Sequence, residues 1–310
     1  MKPLFILGAT ASGKTGAALE AALRHGGEIV GADSVQIYRG LVIGSAAPSE
    51  AEMALVPHHL IGTEELGNDI NAGIYIKKAK AAISDIIGRG RLPIVVGGTN
   101  FYVDALLNGL SPVPEIDAGV KAAVDAKCSG RETAELFEEL VRTDPVWAGQ
   151  ISSCNDRQRI LRGLEVFAAT GLRLSDWNKM ERTGGLGMPC ALVGIDIERE
   201  KLYERINLRA SQMVENGVVD EVRRVRSLGF SSQNCKALRS IGYIETEMYL
   251  NGEIPDTAAL VEEIARNTRH LAKRQLTWLR GMKGVVWAKH EEIQTVIDDI
   301  YREADHDEIH

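Results

Sequence analysis

The octapeptide Gly8-Ala9-Thr10-Ala11-Ser12-Gly13-Lys14-Thr15 matches G-x-x-x-x-G-K-[ST] and restricts the fold more than any other feature of the chain. It follows Leu4-Phe5-Ile6-Leu7, a short apolar run that reads as a buried strand. It precedes Ala17, Ala18, Leu19, Ala21, Ala22 and Leu23, which predict a helix over residues 14–24. Strand, glycine turn and helix in this order make a phosphate loop. Backbone N–H groups turn inward on oxyanions, the helix dipole favours negative charge, and Lys14 adds a point charge. Thr15 offers a hydroxyl to Mg²⁺. The ligand implied is a di- or triphosphate, and the loop is silent on which.

The rest of the pattern extends this unit into an α/β core. Glu28-Ile29-Val30-Gly31-Ala32, Leu92-Pro93-Ile94-Val95-Val96, Ala191-Leu192-Val193-Gly194-Ile195 and Val285-Val286-Trp287 read as further strands. Residues 74–88 and 257–280 read as helices, the second one long. Strands alternating with helices imply a parallel sheet with helices on its faces, a P-loop NTPase-like core. Ser111-Pro112-Val113-Pro114 and Thr183-Gly184-Gly185-Leu186-Gly187 are breaks. Between them the pattern is helical without a convincing strand. The expected organisation is a core of residues 1–112 and 190–290, a helical insertion over 113–189, and an acidic C-terminal tail over 291–310.

The net charge of −7 argues against a nucleic-acid partner at first sight. By segment the conclusion reverses. Residues 1–112 carry −1, 113–189 carry −2, 190–290 carry +3 and 291–310 carry −7. The tail, with Asp298, Asp299, Glu303, Asp305, Asp307 and Glu308, hides a neutral chain. In the neutral part, Arg157, Arg159 and Arg162 form one basic cluster. Arg266, Arg269, Lys273 and Arg280 recur at steps of three, four and seven, on one face of the long helix. No apolar run approaches the ~18 residues of a membrane span, so no membrane partner is expected. Cys128, Cys154, Cys190 and Cys235 are far apart, which fits a reducing cytoplasm and offers no zinc site.

Asp33 is the only acidic residue that the predicted strands place at a clear strand end. It can orient Mg²⁺, serve as a general base beside the phosphate, or simply cap a turn at Ser34. From Gly27 to Gly40, the run Gly27-Glu28-Ile29-Val30-Gly31-Ala32-Asp33-Ser34-Val35-Gln36-Ile37-Tyr38-Arg39-Gly40, together with the phosphate loop, resembles the start of tRNA dimethylallyltransferases, also called tRNA isopentenyltransferases. The likeness continues through Ile43-Gly44, Pro57-His58-His59-Leu60, Gly97-Gly98-Thr99-Asn100-Phe101-Tyr102, Asp156-Arg157-Gln158-Arg159-Ile160 and Ile241-Gly242-Tyr243. It ends in the block from Thr268 to Arg280 and spans nearly the whole chain to that point.

The resemblance implies transfer of a dimethylallyl group from dimethylallyl diphosphate to N6 of the adenosine just 3′ of the anticodon. The tRNAs concerned read codons that begin with U. It implies that residues 8–15 hold the prenyl diphosphate with Mg²⁺ on Thr15, and that Asp33 is the base. Thr10 and Arg209 match family positions at the diphosphate, and an arginine fork suits two oxygens at once. The tRNA contacts implied are Asp33, Ser34, Val35, Gln36, Thr99, Gln158, Arg159, Ile160, Leu161, Arg162, Lys273, Arg274, Gln275 and Arg280. The target base must leave the anticodon stem-loop to reach the diphosphate. Gln36, beside Asp33, is a candidate for adenine recognition, since a carboxamide can bond that base edge bidentately. Phe101 and Tyr102 can stack on a base or pack the helix, with packing favoured for Phe101. A cytoplasmic monomer is expected.

Ala9 stands where the family usually has Pro, which removes no hydrogen-bond donor. Gly31 replaces a frequent Ser, and Ile244 a frequent Lys or Arg. Asn71-Ala72-Gly73-Ile74-Tyr75 departs from the family's Tyr/Ser and Phe pattern. The competing readings are a small-molecule kinase, an adenylate isopentenyltransferase and a non-catalytic RNA-binding protein. The two basic clusters argue against the first two, and the intact loop with Asp33 against the third.

Overall fold

The computed structural model describes residues 2–307. Its strands are β1 (Leu4–Leu7), β2 (Gly27–Gly31), β3 (His58–His59), β4 (Leu92–Val96), β5 (Ala191–Asp196) and β6 (Val285–Lys289). All five pairings are parallel, in the order β3-β2-β4-β1-β5-β6. Every residue of β1, β2 and β4 is buried. This explains why β1 and β4 read as unbroken apolar runs rather than alternating ones, while the buried Glu28 of β2 is paired with Arg89 and His59. Parallel pairing puts every strand's carboxyl end on one edge, where ligands of such sheets bind. That edge collects Gly8, Asp33, Gly97 and His290, each following a different strand.

Helices α1 (Lys14–His25), α2 (Glu50–Leu55), α3 (Ala72–Gly88) and α4 (Asn100–Asn108) follow the first strands. β1 and β4 match the expected bounds, and the two-residue β3, paired through Ile29 and His58, was too short to show periodicity. Beyond the insertion come α10 (Arg199–Glu215), α11 (Val218–Ser227), α12 (Tyr243–Leu250), α13 (Thr257–Arg280) and α14 (Ile293–Asp307). Ala17, Ala18, Ala21 and Ala22 of α1 pack with Leu4, Ile6, Ile94 and Val193 of the sheet. A second cluster joins α10 and α13 through Leu202, Ile206, Leu260, Ile264 and Ala272, and Ala9 of the phosphate loop is buried in it.

The C-terminal stretch departs from its reading as an acidic tail. Ile293 and Ile297 of α14 are buried in the sheet cluster, and Gln294 Nε2 donates to the Ala17 carbonyl at 2.9 Å. Asp298 meets Arg24 and His25. Net charge concealed a helix that buries Ile293 and Ile297 against the sheet and leaves Asp299 exposed. Glu308 lies outside the described residues, as do the side chains of Glu303, Asp305 and Asp307.

The chain divides into two compact units. Residues 1–106 and 188–310 form the first and 107–187 the second. The insertion therefore begins six residues earlier than the Pro-rich punctuation indicated, and ends two residues sooner. Within it, α5 (Ala118–Cys128), α6 (Thr133–Thr143), α7 (Pro145–Gln150) and α8 (Arg157–Thr170) gather Val124, Leu136, Leu140, Ala148, Ile160 and Leu164 into one cluster, and α9 (Leu174–Trp177) packs Leu174 with Ile116 and Val166 in another.

Candidate active site

The phosphate loop leaves β1 at Gly8 and enters α1 at Lys14. Ala11 adopts φ 63° and Gly13 φ 97°, so two left-handed residues wind the loop back on itself. No side chain caps the N-terminus of α1, which leaves its first amides for an anion. Inside the loop, a Cβ at Gly8 would lie 2.7 Å from Ser12 Oγ and 3.4 Å from Lys14 Cγ. Ser12 Oγ is buried and has no hydrogen-bond partner in the protein. A cradle closed to a Cβ and lined by an orphaned hydroxyl fits a phosphate oxygen.

Charge is concentrated at this cradle. Lys14 is only 8% exposed and its ammonium donates to the Ala9 carbonyl at 2.6 Å. Burial and then the positive charge of Arg209 bring its pKa down to about 7, with Asp33 opposing both. Arg209, on α10, donates to Thr10 Oγ1 at 3.4 Å. Burial lowers its pKa too, again opposed by Asp33. Two partly desolvated cations without an adequate counter-ion constitute a site built for a multivalent anion.

Asp33 follows β2. Its Oδ1 accepts from the backbone amides of Val35 (2.9 Å) and Gln36 (3.2 Å), the turn-capping role available to any Asp here. Its Oδ2 faces Gly98, whose Cβ would lie 2.9 Å away. The carboxylate thus divides its oxygens between the turn and the site. Ser34 N donates to Thr99 Oγ1 at 2.9 Å, and Thr99 Oγ1 donates to Ser34 Oγ at 3.1 Å, joining the ends of β2 and β4.

Several expected roles are altered by the contacts these residues make. Gln275 is 5% exposed and spends its carboxamide inside the protein. Its Oε1 accepts from Thr10 N at 2.8 Å, and its Nε2 donates to the Gly98 carbonyl at 2.7 Å. It ties the phosphate loop to the turn after β4, so its side chain is not free for RNA. Gln36 Nε2 donates to the carbonyls of Ser45 and Ala46, both at 3.1 Å. With its amide group engaged, Gln36 cannot bond adenine bidentately, and only Oε1 remains. The reading of Phe101 and Tyr102 is inverted. Tyr102 is buried and stacks on Tyr75 at 4.2 Å between centroids, while Phe101 is 57% exposed.

On α13, Lys273, Arg274 and Arg280 are exposed, and His270, Thr277 and Trp278 are exposed beside them. In the 107–187 unit, Gln158 and Arg159 are exposed and Arg162 is half-buried, but Ile160 is fully buried and Leu161 packs against the same core. The Ile160 and Leu161 side chains hold α8 in place rather than facing a ligand. Arg157 donates to the carbonyls of Cys128 (2.6 Å) and Arg131 (2.9 Å), stitching α8 to the turn between α5 and α6.

Three residues at the sheet edge escaped the sequence reading. Arg205 donates to the Ser12 carbonyl at 3.2 Å, and His290 stands where a Cβ at Gly13 would be, with Nε2 2.6 Å from that position. Asp196 ends β5, one residue beyond the expected strand, and is a second strand-end carboxylate besides Asp33. A lone His or Arg far along the chain carries no local signal, and only the parallel sheet brings them to the loop.

The model of the IPP transferase family matches residues 36–282, and that of the isopentenyl transferase family matches residues 1–70. A tRNA dimethylallyltransferase of Geobacter sulfurreducens is 40% identical, with 93% of this chain and 92% of the relative covered. One from Methylibium petroleiphilum is 44% identical, with 90% and 86% covered. The crystal structure of a tRNA isopentenylpyrophosphate transferase from Bacillus halodurans is 33% identical and superposes with a TM-score of 0.71, covering 100% of this chain and 99% of its own. With its phosphate cradle, its Asp33 and a family match over most of its length, this chain belongs to the IPP transferase family.

Proposed function

We propose that the protein transfers the dimethylallyl group of dimethylallyl diphosphate to N6 of the adenosine 3′-adjacent to the anticodon, in tRNAs reading codons that begin with U. The observation that carries this reading is the geometry of the cradle: Lys14 donates to the Ala9 carbonyl, Arg209 donates to Thr10 Oγ1, and Asp33 Oδ2 faces Gly98, which Gln275 ties to Thr10. A kinase uses the same kinds of cation and carboxylate, so the match to the IPP transferase family decides between the two readings. The family membership and the names of the relatives support the same choice.

The chemistry is a substitution at the allylic carbon. The bond from that carbon to the diphosphate oxygen breaks, and a bond from N6 forms. The adenine amine is a weak nucleophile because its lone pair is delocalised, so it must lose a proton as it attacks. Asp33 Oδ2 takes that proton. The diphosphate leaves with its negative charge met by Lys14, Arg209 and the loop amides. Thr10, held by Gln275 on its amide and by Arg209 on its hydroxyl, fixes the loop against the arginine.

No group of three or more His, Cys, Asp or Glu side chains suited to a metal occurs among the described residues. The half-buried Thr15 hydroxyl would hold Mg²⁺ together with oxygens of the diphosphate. Held there, the ion would supply further positive charge to the leaving group. The exposed cations of α13 and of α8 are suited to phosphates of the anticodon stem. No described helix is long and apolar enough to cross a membrane. The deciding experiment incubates the protein with radiolabelled dimethylallyl diphosphate and unmodified tRNA. Label in tRNA is expected; label in free adenylate, or ATP turnover alone, overturns the reading.

A further inference from the structure

Two family-like blocks, Ile43-Gly44 and Ile241-Gly242-Tyr243, have no part in the chemistry above, yet they meet in the fold. The Tyr243 ring stands where a Cβ at Gly44 would be, with ring atoms 2.5–2.8 Å from that position. Beneath them lies Glu221 of α11, a buried carboxylate. Its Oε2 accepts from the amides of Val42 and Ile43, both at 2.9 Å, and its Oε1 accepts from the amide of Gly44 at 3.0 Å. Tyr243 Oη donates to Glu221 Oε1 at 2.7 Å and accepts from Ser45 N at 3.1 Å. Four successive amides, 42–45, are thus gathered by two side chains about 180–200 positions away in sequence, a nest filled by an internal anion.

The far side of this loop reaches the acceptor carboxylate. The carbonyls of Ser45 and Ala46 take both hydrogens of the Gln36 carboxamide, and the Gln36 amide caps Asp33 Oδ1. Ala46 holds φ 46°, a conformation that costs an alanine energy and persists only where its surroundings impose it. Two carbonyls on Nε2 determine which end of the carboxamide is nitrogen. The end left over, Oε1, accepts hydrogen bonds, the complement of an adenine amine and the opposite of guanine O6.

We infer that Glu221, with Tyr243, is a positioning residue for the transfer, holding the 41–47 loop so that Gln36 presents its carboxamide oxygen beside Asp33. The inference rests on the reading of Asp33 as the acceptor of the N6 proton. Glu221→Gln keeps the size of the side chain but replaces one acceptor oxygen with a donor. Amide hydrogen exchange at Val42, Ile43 and Gly44 accelerates by roughly tenfold or more, and this readout is independent of activity. The KM for dimethylallyl diphosphate stays within about twofold, while kcat/KM for tRNA falls by roughly tenfold or more.

A double-mutant cycle with Gln36→Ala separates positioning from mere stability. If Glu221 acts through Gln36, adding Glu221→Gln to Gln36→Ala costs little further rate. Tyr243→Phe keeps the ring over Gly44 and carries the same cycle should Glu221→Gln unfold. Unchanged exchange, or losses that add in full, overturn the positioning role while the function stands. A wild-type chain that labels no tRNA defeats the functional reading, and the positioning role falls with it.

Discussion

At Asp33 one carboxylate oxygen belongs to the fold and the other to the chemistry, and this division decides which substitution is informative. Asp33→Asn keeps Oδ1 as acceptor for Val35 N and Gln36 N but removes the base. The melting temperature should stay close to that of the wild type, while single-turnover transfer to tRNA falls by about 10²–10⁴. A near-normal rate with bound donor would show that N6 loses its proton elsewhere. Lys14 gives a second prediction at this scale. Free, its pKa is about 7, below the usual lysine value chiefly through burial; a bound diphosphate favours the ammonium and raises it. Above pH 7, binding must therefore take up a proton, and affinity should fall as pH rises, by up to about tenfold per unit. Calorimetry above pH 8 in two buffers of different ionisation enthalpy, where the ligand itself no longer titrates, reads this uptake directly.

Among the elements, α13 and α14 act in ways their charges did not suggest. Alongside its exposed cations, α13 sends Gln275 inward to bridge Thr10 and Gly98. Gln275→Leu leaves a half-buried amide and a half-buried carbonyl without their partner, which costs up to about 1–3 kcal/mol for each. Urea unfolding should show that loss, and diphosphate affinity should fall with it because the loop is no longer tied. Helix α14 contributes Ile293 and Ile297 to the sheet cluster. Ile297→Ala should lower stability by about 2–5 kcal/mol in the same measurement, whereas a solvated tail would show no effect.

For the molecule as a whole, the net charge of −7 is a poor guide to its partners, because charge acts through where it stands. The acidic surplus lies at the C-terminal end, and the exposed cations of α13 lie on a different helix. tRNA binding is expected to weaken steeply with salt, and neutralising Lys273 or Arg280 should each reduce the slope of log K against log[salt] by up to about 1. Filter binding across a salt series tests this, and an unchanged slope would remove that residue from the RNA contacts.

Sequence alone determined the features whose cause is local. The phosphate loop is a contiguous string in a strand–turn–helix context, and α13 was legible end to end as one long helix, which the structure bounds at Thr257 and Arg280. β1 and β4 were legible because burial on both faces leaves unbroken apolar runs. What only the tertiary structure decided depends on partners distant in sequence. A carboxamide on a helix reads as a surface group until Gln275 meets Thr10, 265 residues away. Local sequence favoured Phe101 over Tyr102 for packing, and the Tyr75 ring reverses that choice by stacking on Tyr102. Glu221 is one of three acidic residues within seven positions on α10–α11, and nothing local marks it as the anion for amides 42–44. Hydrophobic periodicity records the solvent boundary of each element, so it survives in the sequence. Hydrogen-bond partnership is set by the sheet order and helix packing, which no local stretch contains.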